Sequence, residues 1–65
     1  MKTKLKLNEG DIVEVYNFTP SGTEFMEGKA KLIEYHRSDF GGEYWDVEFL
    51  TEPGETFTRW IDRPA

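Results

Sequence analysis

The chain has no cysteine and a single histidine, His36, among its 65 residues. No disulfide can cross-link it, no thiolate can serve as a nucleophile, and a structural zinc site of the cysteine/histidine kind is excluded. No apolar run reaches the length that crosses a bilayer. The opening Met1-Lys2-Thr3-Lys4-Leu5-Lys6-Leu7 starts basic but lacks the continuous apolar stretch of a secretory signal. The expected setting is therefore an intact cytoplasmic protein. Basic residues are also scarce: 8 Lys and Arg face 13 Asp and Glu, for a net charge of −5. Lys2, Lys4 and Lys6 hold three of the positive charges, so residues 7–65 carry 5 − 13 = −8. Such a body repels nucleic-acid phosphate. It fits a basic protein partner or a nucleic-acid mimic, and its plainest use is solubility.

Aromatic residues are the abundant class, at 15% of the chain. They matter because so short a chain buries only about 60% of its unfolded surface. Each large ring buried offsets part of that shortfall. The core is expected to be aromatic and to hold without covalent help.

Hydropathy alternates at period two in short runs separated by turn residues, the signature of a small all-β domain. Five strands are expected, near residues 4–7, 11–18, 28–35, 43–50 and 56–61. Val13 and Val15 point inward, with Ile12, Glu14, Tyr16 and Phe18 on the other face. Ala30 and Leu32 face inward between Lys29 and Lys31. Ile33 breaks the alternation there. A helix over 29–35 is the competing assignment, but the run between Gly28 and His36-Arg37-Ser38-Asp39 is too short for a stable one. Trp45, Val47 and Phe49 share one face, with Tyr44, Asp46 and Glu48 on the other.

Thr19 to Glu24 reads as a loop, with Phe25 and Met26 folding back on the body. Glu27-Gly28 reads as a turn or bulge, and Asp39-Phe40-Gly41-Gly42 as a flexible turn. Glu52-Pro53-Gly54-Glu55 fits type II geometry. The last hairpin has two candidate registers. A two-residue loop sets Val47 opposite Trp60, and a longer one sets Phe49 opposite Phe57. The choice decides which of Trp60 and Phe57 is buried.

Gly10-Asp11-Ile12-Val13-Glu14-Val15, then Glu27-Gly28-Lys29-Ala30-Lys31-Leu32, then Trp45-Asp46-Val47-Glu48-Phe49 resemble the strand segments of SH3-like barrels, including Tudor-type and KOW-type modules. The resemblance spans most of the chain. It implies a five-stranded barrel or rolled antiparallel sheet, one domain over residues 1–65, and a ligand groove between the first long loop and the turn before the fourth strand. Tudor-type modules read methylated side chains with an aromatic cage, for which Tyr16, Phe18, Phe40 and Tyr44 are the available rings. The small size also resembles a phage-encoded accessory protein.

Enzyme chemistry fails on inventory. His36 lies in a charged, solvated stretch, and Ser21 and Ser38 lack a nucleophile-elbow context. Asp46 and Glu48 share a strand face as a glycosidase pair might, but the chain offers little room for a deep cleft. Gly41-Gly42 lacks the Lys and helix of a phosphate loop, and no oxygen cluster has calcium-loop spacing. No catalytic residue, metal or cofactor is expected.

Tyr16, Phe18, Phe40 and Tyr44 cannot all share so small a core. Exposed rings mark a contact surface. The expected function is a non-catalytic module that binds a protein partner through these four anchors, with Glu14, Asp39 and Glu43 attracting a basic partner. One alternative is nucleic-acid binding through Lys2, Lys4, Lys6, Lys29 and Lys31. Others are an acidic DNA mimic and a structural subunit paired through the 4–7 edge.

Overall fold

A computed structural model describes residues 7–63. Four strands form one antiparallel sheet in sequence order: β1 (Ile12–Phe18), β2 (Glu24–Asp39), β3 (Gly42–Phe49) and β4 (Phe57–Ile61). No helix occurs among the described residues. The expected strand at 4–7 lies outside the described residues except for Leu7, which packs against the core without joining a strand. The all-β reading holds; among the described residues the sheet has four strands and is open.

The inner face is the one read from the alternation. Val13, Val15, Ala30, Leu32, Trp45, Val47 and Phe49 are all buried, joined by Ile61. No polar or charged residue among those described is buried with them. The core therefore forms by apolar burial alone.

Strand β2 is longer than expected, beginning four residues earlier and ending four later. Three irregularities account for the difference. Its first half pairs with β1, where Glu27 is an extra residue between Met26↔Tyr16 and Gly28↔Val15. Its second half pairs with β3, and Ile33 and His36 each interrupt that ladder. Each extra residue shifts the inside–outside phase, which makes a continuous strand read as strand plus loop. Phe25, Met26 and His36–Ser38 are consequently in the sheet. The bulges also bend it, and β1 and β4 come into contact without pairing.

The last hairpin adopts neither expected register. Val47 lies opposite Phe57, and Tyr44 opposite Trp60. The connecting loop spans 50–56, with the Glu52 N–H donated to the Phe49 carbonyl and the Gly54 N–H to Glu48 Oε2 at 2.7 Å. The ladder closes at Val47 and Phe57, so residues 48–56 lie beyond its last pair, two more than the longer alternative leaves. Phe57 packs half-buried on the inner side, Trp60 lies half-buried on the outer side, and Ile61 fills the core position.

Two arginines tie β4 and the residue stretch after it to the β1–β2 hairpin. Arg59 of β4 grips Glu27 of β2 with two hydrogen bonds, Nε to Oε1 at 2.9 Å and Nη2 to Oε2 at 2.7 Å. Arg63, just past β4, reaches Glu24 at 2.7 Å and lies 4.0 Å from the Tyr16 ring centre. The planar guanidinium matches a carboxylate fork, so the first contact fixes direction as well as distance. The sheet is open in its backbone and fastened by side chains.

Candidate functional site

The seven expected contact residues fall into two groups at opposite ends of β2. Phe18 pairs with Glu24 at its start, while Phe40 follows Asp39 at its end.

The first group is Glu14, Tyr16 and Phe18 on the outer face of β1. Tyr16 donates its hydroxyl to Glu14 Oε1 at 2.9 Å and carries Arg63 on its ring. That hydrogen bond, with some burial and the nearby Glu14 charge, raises the Tyr16 phenol above its usual value. Tyr16 is therefore already engaged by the fold. Phe18 is 53% exposed. Phe25 and Met26, in the neighbouring strand, are exposed as well.

The second group is Asp39, Phe40, Glu43 and Tyr44 at the β2–β3 tip. Asp39 pairs with Gly42, which leaves Phe40 and Gly41 as a two-residue turn. Both have positive φ, 53° and 81°. This is the turn class whose twist matches the flanking strands, and it favours Asn-Gly or Gly-Gly. A phenylalanine there pays for its Cβ with roughly 1–2 kcal/mol of strain. Burial gives nothing in return, since Phe40 is 85% exposed.

The tip is held rather than loose. Trp60 donates Nε1–H to the Asp39 carbonyl at 3.0 Å. Its ring lies over Gly42, where a Cβ would come within 2.6 Å of Trp60 Nε1 and 2.8 Å of the Ile61 carbonyl. Arg37 stacks on Tyr44 at 4.5 Å, and Trp45 donates its indole N–H to Glu43 at 2.8 Å. Tyr44 and Glu43 therefore support the hairpin, and Phe40 is the member of the group presented to solvent.

The four expected rings do not converge into a cage, because the two groups lie at opposite ends of β2. The lysine surface is not concentrated either. Lys29 lies directly across from Glu14, and Lys31 across from Glu48. Opposed charges on paired strands neutralise one another locally. Lys2, Lys4 and Lys6 lie outside the described residues.

His36 is an outer-face residue whose Nε2 is 2.9 Å from Asp46. Asp46 also accepts the Thr58 hydroxyl at 2.7 Å. The Thr58 bond, followed by the His36 one, holds the Asp46 carboxyl below its usual value. Among the described residues no group of His, Asp and Glu has the clustering that holds a metal ion.

One feature was not visible in the sequence. A shallow depression of about 430 Å³ opens between the Glu27 bulge and the β3–β4 loop. Phe49 and Phe57 line it, with Arg59 and Glu27 on one side and Glu52 and Glu55 on the loop side. Its residues are far apart in the chain, and only the register of β4 assembles them. The Pro53-Gly54 turn signal pointed to the loop but not to what it faces.

No protein-family model, characterised protein or solved structure matches this chain. The functional reading therefore rests on the chain's own geometry.

Proposed function

We propose that the protein is a non-catalytic binding module that engages a protein partner through the β2–β3 tip. Phe40 is the anchor, flanked by Asp39, with Tyr44 and Glu43 holding the hairpin in shape. The observation that carries this reading is an 85% exposed aromatic at a positive φ on a hairpin clamped by Trp60. A position that costs the fold strain and returns no burial is what a contact residue looks like when its value is realised elsewhere. The clamp reduces the conformational freedom lost on association. The acidic balance favours a basic partner surface.

The finer fold reading that accompanies this function is an SH3-like barrel or rolled antiparallel sheet. Support comes from the approach of β4 to β1 and from Leu7 against the core. Tyr16, Phe18 and Glu14 form a secondary patch at the far end of β2. Nucleic-acid binding is the weaker reading, because Lys29 and Lys31 face glutamates.

The test is photo-crosslinking in host-cell extract, with a benzophenone side chain at position 40 and, separately, at position 18. One dominant adduct from position 40, competed by unmodified protein and not by Phe40→Asn, is the expected result. Equal capture from both positions, or competition by Phe40→Asn as strong as by the unmodified chain, would remove the assignment.

A further inference from the structure

The depression beside β4 lies at the other end of β3 from the Phe40 tip. Seven residue steps at roughly 3.4 Å separate Gly42 from Phe49, about 24 Å in all. It is thus a surface distinct from the proposed contact tip.

Its chemistry is mixed in a particular way. The floor is aromatic: Phe49 and Phe57 sit 5.8 Å apart with their planes tilted by 56°. Arg59 lies beside both rings, 5.4 Å from the Phe57 centre and 5.7 Å from that of Phe49. Its charge is taken up by the two hydrogen bonds to Glu27. Glu52 and Glu55, on the loop, make no side-chain hydrogen bond or ion pair among the described residues. Three carboxylates therefore face one guanidinium, 1 − 3 = −2 around an apolar floor. The fold already shows what this floor accepts, since its own Arg59 rests between ring faces and a carboxylate.

We propose that the depression binds an arginine side chain of a basic peptide segment, with Glu52 and Glu55 meeting the guanidinium and the half-buried Phe57 ring packing against its planar face and methylene stem. Charge complementarity selects a cation. An aromatic ring face favours the planar, weakly hydrated guanidinium over a compact ammonium. The proposal shares with the Phe40 reading only the class of partner. The two fail separately, because they rest on different residues.

The probe is a short, terminally blocked arginine-glycine peptide, titrated into ¹⁵N-labelled full-length protein at low and high salt. Saturable shifts confined to Glu27, Phe49, residues 51–57 and Arg59 are expected, weakening with salt. Glu52→Gln combined with Glu55→Gln should weaken binding about fivefold to tenfold, the sum of two exposed charge contacts. Both residues are exposed loop positions, so this variant retains the fold; Glu27 and Arg59 are left intact because they fasten the seam. The lysine counterpart of the peptide should bind more weakly, and Phe40→Ala should bind the arginine peptide normally. Unsaturable shifts spread over all acidic residues would overturn the proposal, as would full affinity in the double variant. A third overturning result is movement of these same amides, without peptide, on replacing Lys2, Lys4 and Lys6 by Gln. The occupant would then be the chain's own amino-terminal segment.

Discussion

The seam between β4 and the β1–β2 hairpin and the tip of the β2–β3 hairpin use the same residue types to opposite ends. At the seam, rings and charges are consumed internally: Arg59 by Glu27, Arg63 by Glu24 and the Tyr16 ring, Tyr16 by Glu14. At the tip, comparable groups brace the backbone of the turn, and one ring, Phe40, is left outside them. The difference teaches how to separate function from folding in a small sheet. An exposed aromatic with a cation on its face has a structural explanation already. One that sits strained on a braced turn does not. A 65-residue chain with no disulfide has little stability to spare, so a strained position that folding does not use stands out.

The comparison can be broken most severely at the brace. Gly42→Ala pushes a Cβ into the Trp60 indole and the Ile61 carbonyl. Overpacking against backbone has no cheap relief, and a loss of about 2–3 kcal/mol is expected in urea denaturation. Crosslinking at position 40 should fall with it, because the turn is no longer held.

The seam should respond less. Arg59→Ala removes a half-buried, two-bond contact and its packing on two rings, and about 1–2 kcal/mol should be lost. The same contact predicts a pH dependence. The Arg59 hydrogen bonds hold the Glu27 carboxyl below its usual 4.5, against a smaller opposing effect of burial. The folded state therefore binds this proton more weakly than the unfolded chain does. The pair's contribution is complete above about pH 4.5 and is lost as pH falls through the lowered value. Glu27→Gln should flatten that part of the acid limb in melts run at a series of pH values. The slope owed to Asp46, whose carboxyl is also held low by Thr58 and His36, should remain.

A smaller effect of opposite sign is expected at the tip. Phe40→Asn places a residue that tolerates positive φ in a turn that requires it, and should raise stability by about 0.5–1 kcal/mol. If binding falls while the melting temperature rises, strain and function have been traced to one side chain. The smallest effect belongs to Arg63→Ala. Its contacts with Tyr16 and Glu24 are exposed, and only a slight loss of stability is expected, diminishing in high salt.

How far the sequence could be read follows from the same physics. The inner residues of β1, the middle of β2 and β3 were legible because strict alternation has one reading when one face is apolar. Glu27-Gly28 was recognisable as a bulge or turn. The ends of β2 were not, because the bulges at Glu27, Ile33 and His36 reset the phase that makes a strand recognisable. Of the expected contact residues, Phe40 was found as a surplus aromatic. Its strain, and the internal partners of Tyr16, Tyr44 and Glu43, were hidden, since each depends on a neighbour fixed by register or by a bridging arginine. Trp60 was weighed only as a core residue. Its grip on Asp39 depends on the absent side chain of Gly42, a fact of proximity that composition does not carry.

By itself, the sequence determined that this chain makes an antiparallel all-β sheet, that it has no thiol, and that the molecule is acidic; the expected aromatic core proved mainly aliphatic, with Trp45 and Phe49 the rings buried among the described residues. The first three follow from period, composition and count, which are local or global sums. Tertiary structure alone decided the register of β4, the side-chain closure of the seam and the depression that β4 helps to line. Those depend on pairs such as Arg59 and Glu27, which are 32 residues apart in the chain and meet only after bulges have bent β2. Alternation says which face a residue occupies. Only the folded sheet says which residue lies across from it.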